Sequence, residues 1–146
     1  MKIAFLIIWT VVGWLCGVYI CKDYKKRVEI LQEISDVATV IEENITHFKR
    51  PTAEILLAYP FKTPLSDILL EKSELGGEMP KETADLKALL LEIETCETVT
   101  AKSKLEAFEK RNQASLENAK KQLKQKGETS QKLGILFGLL IGILWL

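Results

Sequence analysis

Histidine is almost absent from this chain of 146 residues, in which His47 is the single copy. Cysteine is also scarce: Cys16, Cys21 and Cys96 occur, and no two of them form a Cys-x-x-Cys pair. These shortages exclude a zinc site built from histidine and cysteine, and they exclude a disulfide framework. Without paired cysteines, the middle of the chain is expected to lie in a reducing compartment.

The chain also has no excess of positive or negative charge, because 20 Lys and Arg residues balance 20 Asp and Glu residues. This balance gives a nucleic-acid role no electrostatic support. A phosphate-binding P-loop, a dinucleotide-binding fingerprint and a Gly-x-Ser-x-Gly motif are all absent from the sequence. The close acid groupings Glu42-Glu43 and Glu92-x-Glu94 have no histidine at ligand spacing, so they are interpreted as solvated helix faces. We therefore predict no enzyme, no catalytic residue, no metal and no cofactor.

Two uncharged apolar runs are present, at residues 3–20 and 133–146. As a helix the first run reaches about 27 Å, close to the thickness of a bilayer's hydrocarbon core. The alternative is a cleaved signal peptide, which would have only Met1-Lys2 as its charged start and no small-x-small cleavage site. The second run reaches only about 21 Å, so it could cross a locally thinned bilayer, start a turn earlier at Thr129, or dip into one leaflet.

Glycines recur at four-residue spacing in both runs and so line one face of each helix. Three interpretations stay open: the two runs pack as a hairpin, each run packs against a membrane partner, or glycine is simply common in membrane helices. The residues assigned to membrane-helix packing are Gly13, Gly17, Gly134, Gly138 and Gly142.

Basic residues flank the two runs on their inner sides, and only Lys2 lies on the other side. The positive-inside rule then places the middle of the chain in the cytoplasm. The predicted organisation is an N-terminal membrane helix at 1–21, a cytoplasmic helical domain at 22–130 and a short membrane segment at 131–146. The predicted interface residues are Lys22, Lys25, Lys26, Arg27, Lys124, Lys126 and Lys132.

Apolar residues in the middle region recur at threes and fours, which predicts amphipathic helices, and no strand pattern occurs. The first stripe begins at Val28 and continues to Phe48, so the first long helix is expected to run unbroken from Ile3 to Phe48 and to end at Arg50-Pro51. Pro51 is expected at the first helical position of the next helix. The fold class predicted is all-α: five or six helices of unequal length, the longest two leading from and to the membrane.

Residues 66–97 carry an excess of acidic side chains. This stretch is our candidate surface for docking a basic partner, with Glu71, Glu74 and Glu78 as the residues assigned to it. The alternative is an acidic face that only keeps the domain soluble.

Several short motifs resemble the stage III sporulation protein AB family. They are Asn44-Ile45 near the end of the first long helix, Arg50-Pro51-x-x-Glu54 beyond it, and the tail at residues 131–141. This tail is similar to that family's Lys-Ser-Leu-Gly-Phe-Leu-x-Gly-Leu-Leu-Ile ending. Element order agrees over nearly the whole chain. The family's leucine after the proline is Thr52 here, its alanine is Ile55, and its Leu-Gly-x-x-Asp segment before the last helix is missing.

The resemblance implies a mother-cell membrane protein of endospore-forming bacteria whose soluble domain is similar to the F domain of type II secretion platforms. It also implies a place in a channel complex beside a secretion-type ATPase, stage III sporulation protein AA, and other channel subunits. On this basis we expect a non-enzymatic platform subunit. The alternatives are a generic membrane-anchored helical adaptor, dimeric along its long helices, and a small membrane enzyme or holin-like pore-former. Homo-oligomerisation is left open by the sequence.

Overall fold

The computed structural model describes residues 2–47, 51–63, 65–69 and 81–145. Within these residues the regular structure is entirely helical, which confirms the predicted all-α class. The chain divides into two compact units, one formed by residues 1–28 and 118–146 and the other by residues 29–117. We call these the hairpin unit and the helical unit. The expected total of five or six helices stays a prediction, since residues 70–80 lie outside the described ranges.

Helix α1 spans Lys2–His47 without a break. The sequence favours this continuity because neither glycine nor proline occurs between Val18 and Arg50. The predicted end at Phe48 and Arg50 lies outside the described residues. Helix α1 contributes to both units, with its first part in the hairpin unit and the rest in the helical unit.

Three shorter helices follow: α2 at Thr52–Ala58, α3 at Leu65–Leu69 and α4 at Lys81–Thr95. Pro51 occupies the N-cap of α2 with an extended backbone (φ −63°, ψ 140°), not the first helical position that we predicted. Thr63 acts as a cap for α3, because the backbone N–H of Leu65 donates to its Oγ1 over 3.4 Å.

The chain then continues through α5 at Thr98–Gln122, a π-helical segment at Leu123–Gly127 and α6 at Glu128–Leu144. The backbone stays helical across both junctions, with φ −64° and ψ −41° at Gln122 and φ −66° and ψ −39° at Glu128. The π-helical segment is therefore a bulge inside one long helical run, a rare feature that is frequent at functional sites.

The core of the helical unit forms where the α1 stripe meets the apolar faces of the shorter helices and α5. Its fully buried side chains include Leu31, Ile34, Ile41, Leu65, Leu86 and Leu105, each with no exposed surface. In α4 the apolar side chains Leu86, Leu89, Leu90 and Ile93 are buried, and in α5 Phe108 and Leu116 join Leu105. Burying each such side chain contributes roughly 1.5–3 kcal/mol to the stability of the helical unit.

Helices α1 and α5 run antiparallel in the helical unit, as three polar contacts show. The Nδ2 of Asn112 donates to the backbone oxygen of Leu31 over 3.2 Å, and the Oγ1 of Thr39 donates to Glu109 over 2.9 Å. Nearer the end of α1, Lys102 pairs with Glu42 at 4.0 Å.

Candidate membrane hairpin

The glycines of α1 and α6 face each other at backbone contact distance. A Cβ atom built on Gly13 would lie 2.3 Å from the carbonyl oxygen of Gly134, and one built on Gly138 would lie 2.6 Å from the oxygen of Trp9. A Cβ on Gly17 would lie 2.8 Å from the Cα of Gln131. Real Cβ atoms do not come this close to backbone, so only glycine allows the two helices to approach this far.

These contacts define a regular antiparallel register. Leu6 meets Gly142 near the free ends of the two helices, and Cys21 meets Gly127 at the end of the π-helical segment. Between these two contacts, each step of about one turn forward along α1 is matched by one turn back along α6. The predicted glycine set is thus brought together in a single seam, and Gly127, which the sequence analysis did not assign, extends it.

The outer surface of this hairpin is apolar and exposed. Ile3 is 77% exposed, Tyr19 70%, Phe137 62% and Leu144 76%. Only 6% of the most apolar window of α1 is buried, whereas the core helix of a water-soluble protein is mostly buried. By length and composition α1 is one helix that could cross a membrane. Helix α6, with 17 residues, is shorter.

The aliphatic hydroxyl of Thr10, inside the first apolar run, is satisfied within its own helix. The Oγ1 of Thr10 donates to the backbone oxygen of Leu6 over 2.8 Å. This bond matters because an unpaired hydroxyl in an apolar medium is costly, and it leaves the α1 run without a free polar group at that position.

Six basic residues gather at the end of the hairpin unit where Cys21 lies beside Gly127, which we call the closed end. We call these residues the basic collar: Lys22, Lys25, Lys26 and Arg27 of α1, with Lys124 and Lys126 of the π-helical segment. The contact between Cys21 and Gly127 places both stretches at the same level. All six side chains are exposed, and none forms an ion pair with a described residue. The seventh predicted interface residue, Lys132, is exposed as well but lies further along α6.

Titratable groups in the helical unit form small local contacts. Lys104 donates to Glu92 over 2.9 Å and lies 3.8 Å from the sulfur of Cys96. The hydrogen bond to Glu92, followed by the charge of Cys96, raises the pKa of Lys104. Among the described residues no group of three or more His, Cys, Asp or Glu side chains could hold a metal ion. His47 is exposed at the end of α1.

Sequence reasoning missed the buried polar residues of the helical unit. Glu33 is only 6% exposed, and its carboxylate accepts from the backbone N–H of Lys62 and from the N–H and hydroxyl of Thr63. Asn112 is 1% exposed, and its Oδ1 has no hydrogen-bond partner among the described residues. Asn112 does continue the helical spacing of Leu105, Phe108 and Leu116, which is the signal that could have placed it inside.

The acidic residues that we assigned to partner docking, Glu71, Glu74 and Glu78, lie outside the described residues. Their role stays a prediction. The same holds for the predicted boundaries after residues 21 and 130, which concern where a membrane would end along the chain.

Comparison of the chain with protein-family models, curated proteins and solved structures finds no match. The resemblance to the stage III sporulation protein AB family consequently depends on the short motifs alone, at residues 44–54 and 131–141.

Proposed function

We propose that this chain is a membrane-anchored, non-enzymatic platform subunit: its hairpin unit sits in the bilayer and its helical unit binds partners. The observation that carries the proposal is the hairpin itself. Its backbones pack closely at Gly13 and Gly134 while almost every large side chain points outward and is apolar. Two helices that hide glycine and expose leucine, isoleucine and phenylalanine are suited to lipid, because lipid tails cover the outer surface.

The basic collar supports one orientation for this anchor. Cationic residues collect on the cytoplasmic side of membrane helices, and the six collar residues lie together at the closed end of the hairpin. We therefore propose that the helical unit is cytoplasmic. Under the resemblance, the membrane is the mother-cell membrane of an endospore-forming bacterium.

The partner is proposed from the resemblance: a secretion-type ATPase, stage III sporulation protein AA, together with other channel subunits. In this role the chain couples the ATPase to an envelope-spanning machine. The continuity of α1 from Lys2 to His47 supports a mechanical role, since an unbroken helix is a stiff element.

The generic adaptor is less well supported, because it predicts a dimer seam along the long helices. The apolar stripe of α1 that would form such a seam is buried within the chain's own helical unit, where Leu31, Ile34 and Ile41 have no exposed surface. Among the described residues of this stripe Leu31, Ile34, Val37 and Ile41 are buried, and only Val28 and Ile45 keep part of their surface exposed.

Anchoring is tested by separating the membranes of cells that express the full chain and washing them with alkaline carbonate. The proposal predicts that the chain stays in the membrane pellet. Protease added to inverted vesicles should digest the helical unit, and protease added to right-side-out cells should not. Release of the whole chain by carbonate would contradict the anchor, and the opposite protease pattern would contradict the orientation.

Partner binding is tested by co-purifying the ATPase with the full chain in detergent. The triple change of Glu71, Glu74 and Glu78 to lysine should abolish recovery of the ATPase if the acidic stretch is the docking face. The matched control reverses the same number of charges at Glu43, Glu106 and Glu117, which are exposed on α1 and α5. Recovery lost in both triple variants would point to net charge and not to a docking face, and no recovery with the unchanged chain would contradict the ATPase partner.

A further inference from the structure

The two apolar runs of the hairpin end at different levels at its closed end. The run of α1 continues to Ile20, but the run of α6 begins only at Leu133. Since Gly17 contacts Ser130 and Gln131, the polar residues 128–132 of α6 lie beside α1 residues that are still apolar. We call residues 128–132 the polar step.

Lys132 is the deepest charge in the polar step. Following the register from the contact of Gly17 with Gln131, Lys132 lies at the level of Cys16. Six residues of helix separate that level from Lys22, so the backbone of Lys132 is about 9 Å further into the hairpin than the first residue of the basic collar. A lysine at this depth extends its aliphatic stem along the apolar surface and directs its ammonium toward the interface.

The ammonium of Lys132 has no anionic partner among the described residues. Lys132 is exposed, whereas Gly134 and Gly138 of the same helix face α1. Glu128 precedes Lys132 by one turn, but the two form no ion pair within the described residues. A cation at membrane depth requires a counter-charge, because an isolated charge in an apolar medium is strongly disfavoured.

We propose that the polar step binds the headgroup phosphate of an anionic phospholipid, with Lys132 as the residue that contacts it. This proposal depends on the membrane anchoring proposed above. The Lys132 side chain extends from this level toward the headgroup region, where phosphates lie, and the polar face of residues 128–132 lies along that path. The six collar cations, which form no ion pair with a described residue, lie above the step and disfavour a choline headgroup. The site therefore selects lipids of net negative charge.

The test uses the full chain reconstituted in phosphatidylcholine vesicles that contain a trace of spin-labelled phosphatidylglycerol or spin-labelled phosphatidylcholine. The measured quantity is the preference of the protein-bound lipid fraction for phosphatidylglycerol. We expect Lys132→Gln to lower this preference about fivefold, since one lysine near the surface contributes about that factor. The matched control, Lys126→Gln, removes one collar charge and should lower the preference only about twofold, because water and salt screen it.

Two results would overturn the site. The unchanged chain would show no preference if an acidic membrane protein is the true counter-charge. The two glutamine variants would lose the preference equally if all collar cations attract the lipid without a specific site. Flotation of the vesicles separates failure of the site from failure of the anchor. A chain that floats with the vesicles but shows no preference contradicts only the lipid site. A chain that does not float contradicts the anchor as well.

Discussion

Gly13 and Gly134 lie so close together that a Cβ atom built on either would lie 2.3 Å from the carbonyl oxygen of the other. This reciprocal contact joins two apolar runs that are far apart in the sequence into one hairpin. It also fixes the register in which the basic collar and the polar step are placed along the same axis.

Adding one methyl group at the centre of the seam should destabilise the hairpin. We expect Gly13→Ala to cost about 1–3 kcal/mol, because the backbones must separate to admit the Cβ. The free energy is measured by titrating the full chain from mild detergent into SDS and following helix content by circular dichroism.

Gly142→Ala is the matched control for that variant. The atom nearest to a Cβ at position 142 is Cγ of Leu6, at 3.1 Å, which belongs to a side chain that can shift. Alanine also favours helix over glycine by up to about 1 kcal/mol, which offsets the contact. Equal losses for Gly13→Ala and Gly142→Ala would show that the seam is not the cause.

Replacing Asn112 distinguishes a polar contact that stabilises the helical unit from one that is merely tolerated. Asn112→Ala should cost about 2–3 kcal/mol, since it leaves a cavity and removes the bond to the Leu31 oxygen. Asn112→Leu should stay within about 1 kcal/mol of the unchanged chain, because it fills the space and removes the unpartnered Oδ1. Urea unfolding in detergent measures both, and a leucine variant as unstable as the alanine variant would contradict this.

Glu33 should be required as a carboxylate. Its carboxylate accepts hydrogen bonds from three groups of Lys62 and Thr63. In Glu33→Gln the side-chain NH₂ group, which can only donate, would face one of these donor groups. We expect a loss of about 1.5–3 kcal/mol in the urea unfolding free energy. Glu29→Gln, at an exposed position of α1, should change the unfolding free energy little. Equal losses of unfolding free energy in the two variants would rule out this role for Glu33.

Tyr59 should make stability fall in alkali. Burial, followed by the charges of Asp36 and Glu33, raises the pKa of Tyr59 above 10.0 in the folded chain. This contribution to stability is complete below the unfolded pKa and is lost as the pH rises through the folded one, because the unfolded chain ionises first. Unfolding free energies measured from about pH 9 to about pH 12 should fall less steeply for Tyr59→Phe. Identical slopes for Tyr59→Phe and the unchanged chain would show that Tyr59 does not cause the loss of stability in alkali.

The proposed mechanical role requires α1 to be continuous. Proline in a helix interior removes a hydrogen bond and clashes with the preceding turn, at a cost of about 3 kcal/mol or more. Ile30 is only 8% exposed, so Ile30→Pro would also disturb the core. Glu29→Pro is the cleaner change, because Glu29 is exposed.

The expected result for Glu29→Pro is a block in sporulation of a host that carries it as its only copy, with unchanged membrane retention. Glu29→Ala is the control and should sporulate normally. Normal sporulation with Glu29→Pro would show that a stiff connection is not needed.

Local periodicity predicted the helices whose apolar faces repeat strongly. The α1 stripe through Leu31, Ile34 and Ile41 is buried as expected, and the apolar face of α4 around Leu86, which repeats at the same spacing, is also buried. The four-residue glycine spacing indicated a close-packed face on each run, but left open what each face packs against. The partner of each face depends on a contact between distant parts of the chain.

The features that sequence reasoning missed are those that depend on long-range pairing. Glu33 is buried because the backbone of residues 62–63 lies over it, and no local pattern carries that information. The π-helical segment at Leu123–Gly127 is another case, since its residues read as an ordinary continuation of α5. Its last residue, Gly127, lies against Cys21, which shows that the seam extends beyond the apolar run of α6.

The central claim, that lipid covers the hairpin unit, is tested most directly at Cys16. Its side chain is exposed in the chain itself, so only an external medium can protect it. Two variants are compared, and both carry serine in place of Cys21 and Cys96. The first keeps Cys16, and the second has serine in place of Cys16 and cysteine in place of the exposed Ser103 of α5. A membrane-impermeant maleimide added to inverted vesicles should label Ser103→Cys fully, and label Cys16 only after SDS is added. Labelling of Cys16 in intact vesicles as fast as that of Ser103→Cys would contradict the membrane anchor.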